Sequence, residues 1–282
     1  MLRMLISIAL SSLTLLLRAG ATSAAEGEPR AVVEVFAAGS LRGIVGDLAM
    51  QAAPDLHIEV KAAFGGSGAM RERIEKGERP DLLLSADLSS PRKLASAGLT
   101  VVPPVPFARN RMCVVSRRDA GITAGNLIDR LLLPSLRVKT STPVADPSGD
   151  YAWAIFDRID QLRPGAGPLL KSKANAVMNA AATPANAGQS AAAALFASRL
   201  IDASITYCSA SAGLEKELPE LTSLVVPAAL DPNPVYGIAV LSNKPAALKL
   251  ALFLLSEKGQ QLIAKNGLVP LLLNPPDRTP PL

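Results

Sequence analysis

The chain has one histidine, two cysteines, one tryptophan and few rings of any kind, aromatic residues filling 4% of its 282 positions. Each shortage removes a class of chemistry. His57 and two widely separated cysteines do not make the nitrogen and sulfur set that a zinc site needs. No metal cation site and no cofactor are therefore expected. A serine hydrolase would have to build its triad on His57, which opens a predicted strand. Its best nucleophile segment, Gly65-Gly66-Ser67-Gly68-Ala69, departs from the G-x-S-x-G elbow at the fifth residue. An exported serine hydrolase is the weakest of the readings kept open. No Gly-rich loop ends in Lys-Ser or Lys-Thr, so a Walker-type nucleotide site is absent. The basic residues are scattered and never interleave with aromatics as a dense block, so nucleic acid is not an expected partner.

What the chain does have is aliphatic bulk. Apolar residues make up 49% of it, enough for a core of Ala, Val, Leu and Ile in one large or two medium domains. Residues 1–25 read as a secretory signal: Arg3, then an uncharged apolar stretch from Met4 to Leu17, then the small residues Ser23-Ala24-Ala25. Its removal takes away Arg3 and Arg18 and no acid, so the net charge falls from +5 to +3. No other stretch reaches membrane-spanning length, and neither cysteine lies near the cleavage site to carry a lipid. The expectation is a freely diffusing monomer in a periplasm. An oxidising compartment permits a disulfide between Cys113 and Cys208. Buried free thiols in two strands, "RMCVVS" and "SITYCS", are the preferred reading, because spacing alone shows no pairing geometry.

Strand-like and helix-like segments alternate along the chain, which predicts an α/β protein with largely parallel sheets. Two Pro-rich passages, near residues 103 and 232, bracket the middle. If both cross one boundary, residues 26–107 and 229–273 form one lobe and 108–228 a second, with a ligand cleft between them and two hinge strands joining them. Residues 274–282 read as a disordered tail. Ligands of such sheets bind outside the carboxyl ends of the strands.

Several of those ends share a pattern. "VEVFAAGSLRG" (33–43) runs from a strand through small residues and Ser40 into a helix. "AAFGGSGAMRERI" (62–74) does the same through Ser67. "VADPSGDYAWAIF" (144–156) and "ANAGQSAAAALF" (185–196) offer two more glycine-bearing helix starts. For one such corner the plain explanation is an N-cap. For four, converging amides and helix dipoles also make a site for a small anion, with no Lys or Arg needed.

The runs "VFAAGSL", "FGGSGAMRERIEKGERPDLLLSAD" and "ITYCSA" resemble the periplasmic molybdate-binding proteins, the solute receptors of molybdate ABC transporters. The resemblance covers roughly residues 31 to 270 in order and is strongest in the first half. It implies a type II periplasmic binding fold, a tetrahedral oxyanion held between lobes, and an inner-membrane permease as partner. Carried over by position, it implies Ser40 and Ser67 as the two serine ligands and Tyr207 as the tyrosine. Gln189 falls near a backbone donor. The "DPSGDYAW" turn is shorter than the family's commoner pattern, and its donor is assigned to Gly149 or Asp150.

The chemistry of the guest agrees with such a set. Molybdate, tungstate and sulfate are unprotonated dianions near neutral pH and only accept hydrogen bonds, so a matching site presents donors. Hydrogen phosphate carries a proton and suits an acceptor such as Asp. Asp150 is read as the N-cap of a helix starting at Tyr151 and Asp146 as a turn residue. If either faces the cleft, phosphate gains weight. Sulfate and phosphate receptors of the same fold, and an exported sensor or scavenger that serves no transporter, stay open as alternatives.

Overall fold

In a computed structural model the chain is described over residues 30–52, 54–178 and 190–271. The expected signal, the expected tail and Gln189 lie outside these residues. The described strands form two sheets. The first contains β1 (Ala31–Ala38), β2 (Ile58–Gly65), β3 (Leu82–Ser85), β4 (Val105–Arg109), β9 (Val235–Val240) and β10 (Val269–Pro270), in the order β10-β4-β9-β3-β1-β2. The second contains β5 (Met112–Arg117), β6 (Val138–Lys139), β7 (Ala203–Tyr207) and β8 (Leu221–Val225), in the order β6-β7-β5-β8.

Ten α-helices are seen among the described residues. They are α1 (Arg42–Asp47), α2 (Ser67–Glu75), α3 (Ser89–Ser96), α4 (Leu127–Leu132), α5 (Pro147–Leu162) and α6 (Ala166–Met178). Then follow α7 (Ala191–Ala197), α8 (Cys208–Glu217), α9 (Pro245–Leu255) and α10 (Glu257–Lys265). Composition explains the centre of the first sheet. Leu82, Leu83 and Leu84 are wholly buried, as a continuous apolar run covered on both faces should be.

The sheets are mixed rather than largely parallel. β1 pairs in parallel with β2 and β3, and β6 with β7. The strand that returns to the first sheet, β9, lies antiparallel between β3 and β4, and β5 runs antiparallel to both β7 and β8. A chain that leaves a sheet and comes back must re-enter it, and local periodicity carries no direction for that step.

The first Pro-rich passage also differs from expectation. Its second half is β4, which accommodates Pro106 at a register shift against β9, where a missing N–H costs least. The chain crosses from β4 to β5 through Asn110 and Arg111, and crosses back through residues 226–234. The crossings are tied together: Asn110 N–H donates to Pro234 O at 2.9 Å, and Met112 N–H to Asp231 Oδ2 at 3.3 Å.

Two corrections concern the chain around β7. Cys208 is the first residue of α8, not part of a strand. Cys113 and Cys208 form a disulfide, so free thiols are overturned. The physical reason is register. Met112 pairs with Tyr207 across β5 and β7, which brings the two cysteine Cα atoms to 4.9 Å. Spacing along the sequence does not reveal that pairing.

Candidate functional site

A cavity of about 400 Å³ lies where the ends of β1 and β2 face the end of β7 and the start of α5. Ser40 lines it from a tight turn, Gly39–Leu41, that leads into α1. Neither that turn nor α1 has a side-chain cap, so Ser40 is not spent on capping. Its Oγ lies 3.0 Å from the Tyr236 hydroxyl. At the second corner Gly66 is the N-cap of α2 and makes no side-chain cap, while Ser67 is its first helical residue. Ser67 is fully buried, and its Oγ accepts from Ala86 N–H at 2.9 Å. That leaves the Ser67 proton to give. Ser67 itself does not line the cavity; its neighbour Gly66 and its partner Ala86 do. The capping explanation for the two serine corners therefore fails on geometry.

Tyr207 closes the other side. It is the last residue of β7, is 4% exposed, and its hydroxyl has no hydrogen-bond partner. Burial, with the nearby Tyr236, Asp146, Tyr151 and Asp87, pushes its phenol well above the ordinary tyrosine range, so it stays a protonated donor. Its ring packs against Tyr236 at 5.6 Å and against Tyr151 at 6.3 Å. Burial likewise raises the Tyr151 phenol, to about 12.

The DPSGD turn is where the sequence reading needs most correction. α5 starts at Pro147, four residues before Tyr151, and its cap is Asp146, whose Oδ1 accepts from Ser148 N–H at 3.0 Å. Asp150 is not the cap. It is exposed, accepts from Val144 N–H at 2.8 Å, and faces a separate cavity beside Arg71 and Lys93. Gly149 is buried against the backbone of Ser141–Pro143, with its N–H bonded to Asp146 O. Neither residue lines the cavity by β7. Ser148 does, and its buried Oγ has no partner. The signal for it was Asp-Pro, a cap followed by proline at the first helical position, which places the serine in the first turn. Among the described residues Asp146 is the one charged residue that lines the cavity, and no Lys or Arg does.

The two halves touch beside this cavity. Ala69 N–H donates to Ala145 O at 3.2 Å, and a Cβ on Gly66 or Gly68 would strike the carbonyls of Ala145 or Val144. Only glycine permits this approach.

Two α/β sheets whose strands end on a shared polar cleft, joined by two crossings, give the fold of the type II periplasmic binding proteins. The chain belongs to the bacterial extracellular solute-binding protein family, whose description matches residues 33–269. An uncharacterised protein of Pasteurella multocida is 32% identical over 241 residues, covering 84% of this chain and 98% of its own. The molybdate-binding protein ModA of Mycobacterium tuberculosis is 28% identical over 240 residues, 83% of each chain. Among solved structures, the sulfate-binding protein SubI of Mycobacterium tuberculosis superposes with a TM-score of 0.70 at 17% identity, over 86% of this chain and 88% of its own. Among the described residues no helix is long and apolar enough to cross a membrane.

Proposed function

We propose that the protein captures a tetrahedral oxyanion, molybdate or tungstate, outside the cytoplasmic membrane and delivers it to the permease of an ABC transporter. The observation that carries this is the pair of buried, unpartnered hydroxyls, Ser148 Oγ and Tyr207 OH, on one cavity with Ser40. A buried donor without a partner costs about 1–3 kcal/mol, and such groups persist where a guest satisfies them. In this reading Ser40, Ser148 and Tyr207, which line the cavity, donate to the guest, Ser148 taking the place expected of Gly149 or Asp150, while Ser67 sits behind the lining residues Gly66 and Ala86. Gln189 adds a backbone amide. The first sheet, through the end of β4 and again from β9 onward, lies in one lobe and β5 to β8 in the other, and the monomer closes on the guest between them. Each hydrogen bond to the charged guest contributes roughly 1.5–3 kcal/mol, so four or five support micromolar to nanomolar binding at about −8 to −12 kcal/mol.

A second reading has its own observation. Asp146 on the cavity offers an acceptor, which suits hydrogen phosphate. Thermal melts with molybdate, tungstate, sulfate and phosphate separate the two. At one concentration common to all four, set a hundredfold above the molybdate Kd, molybdate and tungstate should each add about 2.7 kcal/mol of stability. A larger shift with phosphate would hand the site to the second reading, and no shift with any of the four would sink both.

Closure gives an independent check. Gly68→Ala places a methyl against Val144 O where the halves meet, a clash that the unliganded variant relieves by opening and that the guest must close up again. Overpacking of about 1–3 kcal/mol would then fall on the closed state, weakening molybdate binding by about 5- to 150-fold in calorimetry. Unchanged affinity would show that binding does not need this contact.

A further inference from the structure

Ser40 faces the cavity with a hydroxyl that can donate or accept. Which it does depends on a chain of bonds running back into the crossings. Arg111 N–H donates to Asn110 Oδ1 at 2.9 Å. A backbone N–H can only donate, so this bond fixes the amide: oxygen toward Arg111, nitrogen away from it. The Asn110 Nδ2 protons then go to Ser209 Oγ at 2.9 Å and Tyr236 OH at 3.1 Å. Either oxygen could donate across the 3.0 Å between Tyr236 OH and Ser40 Oγ, but Asn110 Nδ2 can only donate, so of the two partners of the buried Tyr236 hydroxyl Ser40 is the one able to accept its proton. Ser40, having accepted from Tyr236, points its proton at the cavity. Asn110 and Tyr236 are 3% and 0% exposed, so water does not scramble the chain.

We propose that Asn110 and Tyr236 are positioning residues that lock Ser40 as a donor, and so make this end of the site select oxyanions that carry no proton. The proposal rests on the oxyanion reading above. Its location adds a second consequence. Asn110 sits on one crossing, Tyr236 follows the other, and Ser209 belongs to α8 of the second sheet. The donor direction at Ser40 is therefore set by the same bonds that hold the two crossings and α8 together.

Asn110→Asp reverses the chain with almost no change of shape. One carboxylate oxygen keeps the Arg111 N–H. The other accepts from both Tyr236 and Ser209, which must now donate to it. Ser40 is left to donate to Tyr236, and it turns a lone pair toward the guest. A lone pair repels molybdate but accepts the proton of hydrogen phosphate. Measured at mildly alkaline pH, both guests are dianions, so repulsion by the new charge acts on both and divides out of the ratio of their affinities. The molybdate-to-hydrogen-phosphate ratio should fall by about 10- to 100-fold in Asn110→Asp. In Tyr236→Phe, which keeps the ring but frees the Ser40 hydroxyl to rotate, it should fall by less. If Asn110→Asp does not fold, Tyr236→Phe decides alone. A ratio unchanged from the wild type, whatever the loss of affinity, overturns the relay and leaves oxyanion capture standing. So does a wild-type preference for hydrogen phosphate. A wild-type protein that binds no tetrahedral oxyanion overturns the function itself, and the relay with it.

Discussion

Tyr207→Phe and Ser148→Ala are expected to weaken molybdate binding by about 10- to 100-fold each while making the unliganded protein more stable. The two effects share one cause. Both hydroxyls are buried without a partner in the unliganded protein, and a buried polar group so placed costs about 1–3 kcal/mol. Removing either oxygen removes that cost. The ring of Tyr207, with its contacts to Tyr151 and Tyr236, remains in the Phe variant. A gain of about 1 kcal/mol should raise the unliganded melting temperature by about 2–4 °C. The loss appears only with the guest, which no longer finds those donors. The double variant should bind worse than either single one, though less than additively, since both hydroxyls serve one guest. Scanning calorimetry without ligand and titration calorimetry with it measure both halves. A fall in unliganded stability would mean that these hydroxyls serve the fold, and would remove the main support for the site.

How much of this was legible beforehand depends on whether the signal was local. Ser40 and Ser67 sit where strand, small residues and helix follow one another within a dozen positions, and a local reading reaches that far. Tyr207 was reached only by resemblance, since a tyrosine ending a strand is ordinary core by its neighbours. Ser148 has no such decisive local signal, because Asp150 reads as a helix cap as readily as Asp146, and a helix capped at Asp150 starts four residues after Pro147 and leaves the serine in a loop. Pro147 settles the point in the structure, its fixed φ suiting the first helical position. The roles of Asn110 and Tyr236 had no local signal. They lie 126 residues apart and meet only because two crossings run side by side. Strand direction failed for the same reason, as β9 and β5 take theirs from the path between sheets.

The bridge between Cys113 and Cys208 should show the opposite pattern to the two hydroxyls: a large effect on stability and a small one on binding. It spans 95 residues and closes most of the second sheet into one loop. Loop-closure entropy for such a span corresponds to about 4–5 kcal/mol, though distortion and residual structure reduce what is realised. Replacing both cysteines by serine should therefore lower the melting temperature by about 10 °C. Reduction of the wild-type protein should give the same shift. Cys208 directly follows Tyr207, so the bridge invites a role in holding the tyrosine proposed to bind the guest. The hydrogen bonds argue otherwise. Met112 still pairs with Tyr207 in the sheet, and Cys208 N–H still donates to Arg111 O at 2.9 Å, both independent of sulfur. Below its melt, the double serine variant should bind molybdate within about tenfold of the wild type, a difference near 1.4 kcal/mol. A loss of affinity matching that of Tyr207→Phe would show that the backbone pairing cannot hold the phenol alone. The bridge would then be part of the binding site, and redox state would govern capture as well as stability.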